Sequence, residues 1–195
     1  MSPRPYRMTQ RAQSVEQTRG RILRAALAEY AIHGIDGTSM QAVARRADVA
    51  SGTVLYHFPT PEELADAVIA DSAERMALPT AESIDDSAPL SERIRTLTEE
   101  LFRVYAGTDA EFHMWTKSRE HPALRTWELW YYETYGKALS VALGEHAAHP
   151  RALQIASALI DPGFRASLLQ RGLDEQEAVD ETVRLVLAWL DSDTT

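Results

Sequence analysis

Apolar positions recur at three- and four-residue spacing along almost the whole chain, and no stretch alternates apolar and polar residues as a strand does. The first such face is Ile22, Leu23, Ala26, Leu27 and Tyr30, which predicts a helix over residues 14–33 halted by Gly34. Met40, Val43, Ala44 and Ala47 form a second, shorter face. Thr38 is the predicted N-cap of that helix, with Gln41 three residues on in a capping-box arrangement. Asp48 stands where the chain must turn, and Asp tolerates the left-handed conformation better than most residues with a Cβ. Val49 can plug the turn, and Val54 and Phe58, four apart, give a third short helix its inner face. Further helices are predicted at 61–76, 90–106, 110–120, 122–148, 150–170 and 175–191, punctuated by Gly107, Pro122, Pro150 and Gly172. Pro162-Gly163 should kink or divide the 150–170 helix. The fold class is therefore all-α.

The pair of short helices in residues 38–58 carries the chemistry. With Val54 and Phe58 inward, Ser51, Gly52, Thr53, Leu55, Tyr56 and His57 face largely outward. Hydroxyls, a phenol and an imidazole on a short helix can reach phosphates and base edges in a DNA groove. Gly52 lets the backbone come close, and Leu55 can meet a thymine methyl. Ser51, Gly52, Thr53 and Leu55 are the base-proximal candidates; Ser39, Gln41, Tyr56 and His57 are the phosphate candidates. Arg19, Arg21, Arg45 and Arg46 fit either solvated charges or phosphate neighbours.

TRGRILRAALAEYAIHGIDGTSMQAVARRADV followed by SGTVLYHFPTPEEL resembles the DNA-binding domain of the TetR (tetracycline-repressor) family of bacterial transcription regulators. The likeness spans about residues 15–69. Two positions depart from the family's habit: Asp48 stands where the turn usually has Gly, and Pro61 where a phosphate-binding Lys usually opens the next helix. The resemblance implies an N-terminal three-helix helix-turn-helix domain plus a larger C-terminal helical ligand-binding and dimerisation domain. The expected boundaries are a disordered basic arm at 1–13, the DNA-binding domain with its linking helix at 14–75, and the second domain at 76–195. Arg4, Arg7 and Arg11 of the arm suit either a solvated tail or entry into a minor groove.

Net charge argues the other way until it is divided. The chain of 195 residues carries −9, yet residues 1–60 hold 8 Lys+Arg and 4 Asp+Glu, hence +4, while the remainder holds 12 and 25, hence −13. Screening beyond about 10 Å makes the local sign decisive for phosphate attraction. There is no cysteine, no apolar run of membrane length and no secretory leader pattern, so a cytoplasmic protein is expected.

Phe102, Tyr105, Phe112, Trp115, Trp127, Trp130, Tyr131, Tyr132 and Tyr135 lie close together in sequence, with helical spacing among several of them. Such rings can be ordinary core. In a TetR-like protein this region commonly forms an effector cavity, which nominates Phe102, Tyr105, Phe112, Trp115, Trp127, Trp130, Tyr131 and Phe164 for an apolar or aromatic small molecule. Leu153, Ala156, Ser157, Ile160 and Phe164, with Val179, Val183, Val186, Leu187 and Leu190, give the last helices apolar faces. The resemblance pairs those helices across a two-fold axis as a homodimer on a palindromic double-stranded DNA operator.

Enzymatic chemistry finds little support. His113 and His121, with Glu111 and Glu120, lack the HExxH spacing of a zinc site, and no nucleophile elbow or phosphate loop is present. No metal, cofactor or catalytic residue is expected. The reading is a ligand-responsive repressor. An activator or a protein-controlled regulator on the same fold remains open, as, more remotely, does a helical interaction module or enzyme that does not bind DNA.

Overall fold

The computed structural model describes residues 4–193, with side chains at 13–149 and 151–192. Ten α-helices and two short 3₁₀ turns occupy them, and no strand is present among the described residues. The helices are α1 (Arg4–His33), α2 (Met40–Ala47), α3 (Ser51–His57), α4 (Pro61–Arg75), α5 (Leu90–Ala106), α6 (Asp109–Ser118), α7 (Pro122–Leu143), α8 (Pro150–Leu159), α9 (Pro162–Gln170) and α10 (Glu175–Asp193).

The first compact unit runs through Arg75 and also takes in Ala110–Trp127. α1 packs on α2 and α4, and α2 on α3. The apolar faces read from the sequence are the ones that are buried: Ile22, Ala26, Val43 and Val54 are each fully or almost fully covered, as is Leu64 of α4. α1 begins at Arg4, ten residues before the expected start. The side chains of Arg4, Arg7 and Arg11 lie outside the described residues. Gly34 ends α1 with φ +76°, a conformation that suits glycine, and its N–H donates to the Tyr30 carbonyl at 2.8 Å.

Residues 110–127 contribute to the core of the first unit. Met114 and Leu124 are buried in the first unit's core, with Trp115 and Trp127 packed against it. Polar links reinforce that placement. The Ile35 N–H donates to Ser118 Oγ at 2.8 Å, and Arg75 donates to the buried carboxylate of Glu111 at 3.2 Å. Sequence periodicity marks a helix here but cannot say which core its face enters.

The second unit comprises residues 76–109 and 128–195. α10 packs on α5, α8 and α9, and the Arg95 guanidinium of α5 donates to Asp180 of α10 at 2.6 Å. Two long helices expected from the sequence are each interrupted. Gly144, at φ +58°, ends α7 and leaves Gly144–Ala148 as a 3₁₀ turn, so the helix does not continue to residue 148. Pro162 divides the 150–170 segment into α8 and α9, and Asp161 caps α9 by accepting from the Gly163 N–H at 2.7 Å. Ala156, Ile160, Val179, Val183, Val186 and Leu190 are buried within this unit, so these residues serve its own core. Leu153, Ser157, Phe164 and Leu187 are half-buried. Among the described residues, no helix is long and apolar enough to cross a membrane.

Candidate functional site

α2 and α3 are joined through a turn at Asp48, the sole non-glycine residue with positive φ among the described residues, at +53°. Its N–H bonds back to the carbonyls of Ala44 and Arg45, and the Val49 N–H follows to Ala44 at 3.1 Å. A Cβ-bearing residue in this conformation costs about 1–2 kcal/mol, less for Asp than for most. Asp48→Gly should therefore raise stability in urea unfolding by up to about 1 kcal/mol, whereas Asp48→Val should lower it by at least that amount.

The cap of α2 differs from the expected one. Ser39, not Thr38, is the N-cap: Ser39 Oγ accepts from the Ala42 N–H at 3.2 Å. The Thr38 hydroxyl instead donates to the Gly34 carbonyl at 2.8 Å, tying the end of α1 to the start of α2. Because Ser39 accepts in this bond, its own hydroxyl proton is still available to an outside acceptor. Gln41 is exposed beside it.

α3 places its two faces as the spacing requires. Val54 and Phe58 are buried, while Ser51, Gly52, Leu55 and Tyr56 are exposed and Thr53 and His57 half-exposed. Leu55 is 49% exposed and Tyr56 78%, unusual for a large apolar side chain and a phenol on so short a helix. The Tyr56 ring meets His57 edge-on at 5.4 Å. A Cβ at Gly52 would have nothing within 4 Å, so the helix is open there to the approach of another molecule. These positions form one solvent-facing surface of hydroxyls and one apolar group, supported from behind by a fully packed core.

Basic side chains near this surface have different settings. Arg46 is engaged by Glu29 at 2.5 Å, and Arg19 lies over the face of Phe58 at 5.4 Å. At the start of α4, the Thr60 hydroxyl accepts from the Glu63 N–H at 3.1 Å, and Glu62 and Glu63 are exposed.

The eight residues nominated for an effector fall into two groups. Phe112, Trp115 and Trp127 belong to the first unit, where Phe112 stacks on Trp115 with ring centroids 6.4 Å apart and Arg119 covers Trp115 at 4.7 Å. Phe102, Tyr105, Trp130, Tyr131 and Phe164 belong to the second. There Phe102 and Tyr105 are buried, and the Tyr105 and Tyr131 hydroxyls bond to each other at 2.6 Å. Trp130 is 37% exposed, so the shared face expected for Trp127 and Trp130 does not enter one core. Tyr135, left out of the nominated set although its spacing matched, is buried and stacks on Tyr131 at 5.7 Å. A cleft of about 420 Å³ lies beside Phe102, lined also by Glu99, Arg103, Ala106, Glu175, Gln176 and Val179. Sequence reasoning missed its charged rim, because Glu175 and Gln176 approach Glu99 and Arg103 only through tertiary packing.

Burial pushes the Tyr105, Tyr131 and Tyr135 hydroxyls well above the usual tyrosine value; the hydrogen bond to Tyr105 partly opposes this at Tyr131. The native state thus holds protons that the unfolded chain releases near pH ~10. The stabilisation is whole below that pH and is lost as pH rises through and beyond it. Alkaline titration should show tyrosinate absorbance appearing together with loss of helicity; gradual ionisation of these rings in a still-folded protein would contradict the burial.

Among the described residues, no group of three or more His, Asp and Glu is arranged to hold a metal ion.

Residues 22–68 match the family described as bacterial regulatory proteins, tetR family. No curated protein matches the chain. Among solved structures, a TetR-family member from Streptomyces coelicolor A3 is 27% identical with a TM-score of 0.58, the match covering 86% of this chain and 97% of that one. A TetR-like transcriptional regulator from Rhodococcus sp. RHA1 shares the fold at a TM-score of 0.69 and 16% identity, covering 89% and 96%. The multidrug binding protein EbrR, in complex with ethidium, is 28% identical with a TM-score of 0.52, covering 86% and 97%. The matched segment spans the helix-turn-helix whose outward surface has just been described, and the likeness in fold extends over most of the chain: residues 22–68 are similar to the DNA-binding domain of the TetR family, and the chain as a whole to solved regulators of that family.

Proposed function

We propose that the chain is a ligand-responsive repressor that binds a palindromic operator as a homodimer in the cytoplasm. The observation that carries the DNA-contact assignment is the exposure of Leu55 and Tyr56 on a helix whose opposite side, Val54, is fully buried. Water-exposed large side chains on a rigid, well-packed helix suit a surface that another molecule covers. Ser51, Gly52, Thr53 and Leu55 meet base edges, and Ser39, Gln41, Tyr56 and His57 meet the phosphates. One seven-residue helix reads few base pairs, so two copies are needed for a specific site. Ile155 and Leu159 on α8, with Leu185 and Trp189 on α10, are half-buried at i, i+4 spacing and supply the dimer face.

Tyr56→Ala should weaken binding to all sequences about equally, and Leu55→Ala should alter base preference at one position by about 1–3 kcal/mol. Gel shifts over a panel of duplexes test both, and unchanged affinity in the two variants would sink the assignment.

The effector is proposed to be apolar or aromatic and to use the rings around Phe102, Tyr105 and Tyr131. The multidrug binding protein to which the chain is similar has been solved with ethidium, a planar aromatic molecule. A second reading has its own support: Tyr105 and Tyr131 already satisfy each other, as residues of a packed core would. Tryptophan fluorescence across a compound library separates the two. A saturable change that also releases DNA favours the effector; silence throughout favours a regulator controlled by another protein.

A further inference from the structure

We infer that Arg19, on α1, contacts a DNA phosphate where the backbone passes the C-terminal end of α3, an assignment that rests on the DNA-binding reading above. Beyond Tyr56 and His57, the adjoining start of α4 offers few donors. Pro61 has no N–H, the Glu63 N–H is taken by Thr60 Oγ1 at 3.1 Å, and the Leu64 N–H by the Thr60 carbonyl at 3.2 Å. Glu62 and Glu63 add two exposed carboxylates that repel phosphate. The usual attraction of a helix N-terminus for an anion is therefore largely cancelled at α4.

Arg19 is placed to supply the missing charge. Its guanidinium lies 5.4 Å from the centroid of Phe58, the residue that ends α3, and the side chain is half-buried. Stacking on a ring fixes the direction of a guanidinium while leaving its N–H groups available, and a planar fork of donors fits a phosphate. Among the described residues no carboxylate pairs with Arg19, whereas Arg46 is already engaged by Glu29. Of the arginines that the sequence left undivided between solvated charge and phosphate neighbour, the structure thus separates Arg19 from Arg46.

The test uses the full chain and the duplex that the wild-type protein selects from random DNA, with affinity measured against salt concentration. Arg19→Gln should flatten the slope of log K against log salt by ~0.9 per contacted phosphate, with base preference unchanged. Arg19→Lys should restore most of the slope, and Arg46→Gln should leave it at the wild-type value. Melting temperature is followed in parallel, because loss of the stacking on Phe58 lowers it whether or not DNA is touched. An Arg19→Gln protein that melts earlier yet keeps the full slope overturns the phosphate contact and leaves Arg19 a packing residue. A wild-type chain that selects and binds no duplex overturns the DNA-binding reading, and this inference with it.

Discussion

Val54→Asp is expected to abolish DNA binding by unfolding the helix-turn-helix. Val54 is fully buried, facing the core formed by α1, α2 and α4. A carboxylate there has no partner, and burying an unpaired charge costs several kcal/mol, a large share of the 5–15 kcal/mol by which a domain is stable. The neighbouring change Leu55→Asp is the informative control. Leu55 is about half exposed, so its replacement should alter stability by no more than about 0.5 kcal/mol while still removing DNA binding through repulsion of phosphates. Circular dichroism with gel shifts distinguishes them: Val54→Asp loses helicity and binding, Leu55→Asp binding alone. Equal loss of helicity in both would show that the two faces of α3 are not distinct.

The second large effect concerns α6, which the structure joins to the DNA-binding helices. Glu111 is 5% exposed, and its charge is met by Arg75 at the end of α4, a residue that also pairs with Asp71. Arg75→Ala strands a buried carboxylate. Losing one member of a fully buried pair costs about 3–5 kcal/mol, but the Arg75 side chain is half exposed, so a loss of about 1–3 kcal/mol is expected. Replacing both residues together, Arg75→Leu with Glu111→Leu, should recover much of that loss, since no buried charge is left unpaired. Urea unfolding of the two singles and the double closes the cycle. A double variant as unstable as the sum of its parts would contradict the pairing.

What the sequence disclosed and what it hid follow one physical division. Periodicity reports the side of a helix that leaves water, so Val54 and Phe58, and Ile22 and Tyr30, were legible as inner faces. It reports nothing about which partner covers that side. Spacing along residues 110–127 therefore says nothing of the core they join, and the apolar faces of the last helices do not by themselves tell which residues, such as Val183 and Val186, are buried in their own unit. Caps were legible to within a residue: the difference between Thr38 and Ser39 is a choice between two neighbouring hydroxyls that backbone geometry alone decides. Breaks needed the strength of the breaker. Pro162 does divide its helix, as its fixed ring geometry demands, whereas Gly144 gave little warning until its positive φ was seen.

The same division governs the candidate sites. The candidate surface of α3 lies on one short helix with a simple inward and outward face, so local spacing is enough to mark which residues face outward. The aromatic set draws on several helices, and spacing along one of them says little about rings brought in by another. Tyr135 shows the consequence: it met the spacing, was left out, and stacks on Tyr131 in the second unit.

The central claim is that the outward surface of α3 reads DNA as part of a two-fold dimer. Selection of bound sequences from random duplex DNA by the full chain tests it most directly. The account predicts enrichment of an inverted repeat with half-sites about one helical turn apart, bound in a salt-dependent way and lost with Leu55→Asp. Failure to enrich any sequence, or enrichment that survives Leu55→Asp unchanged, would contradict it.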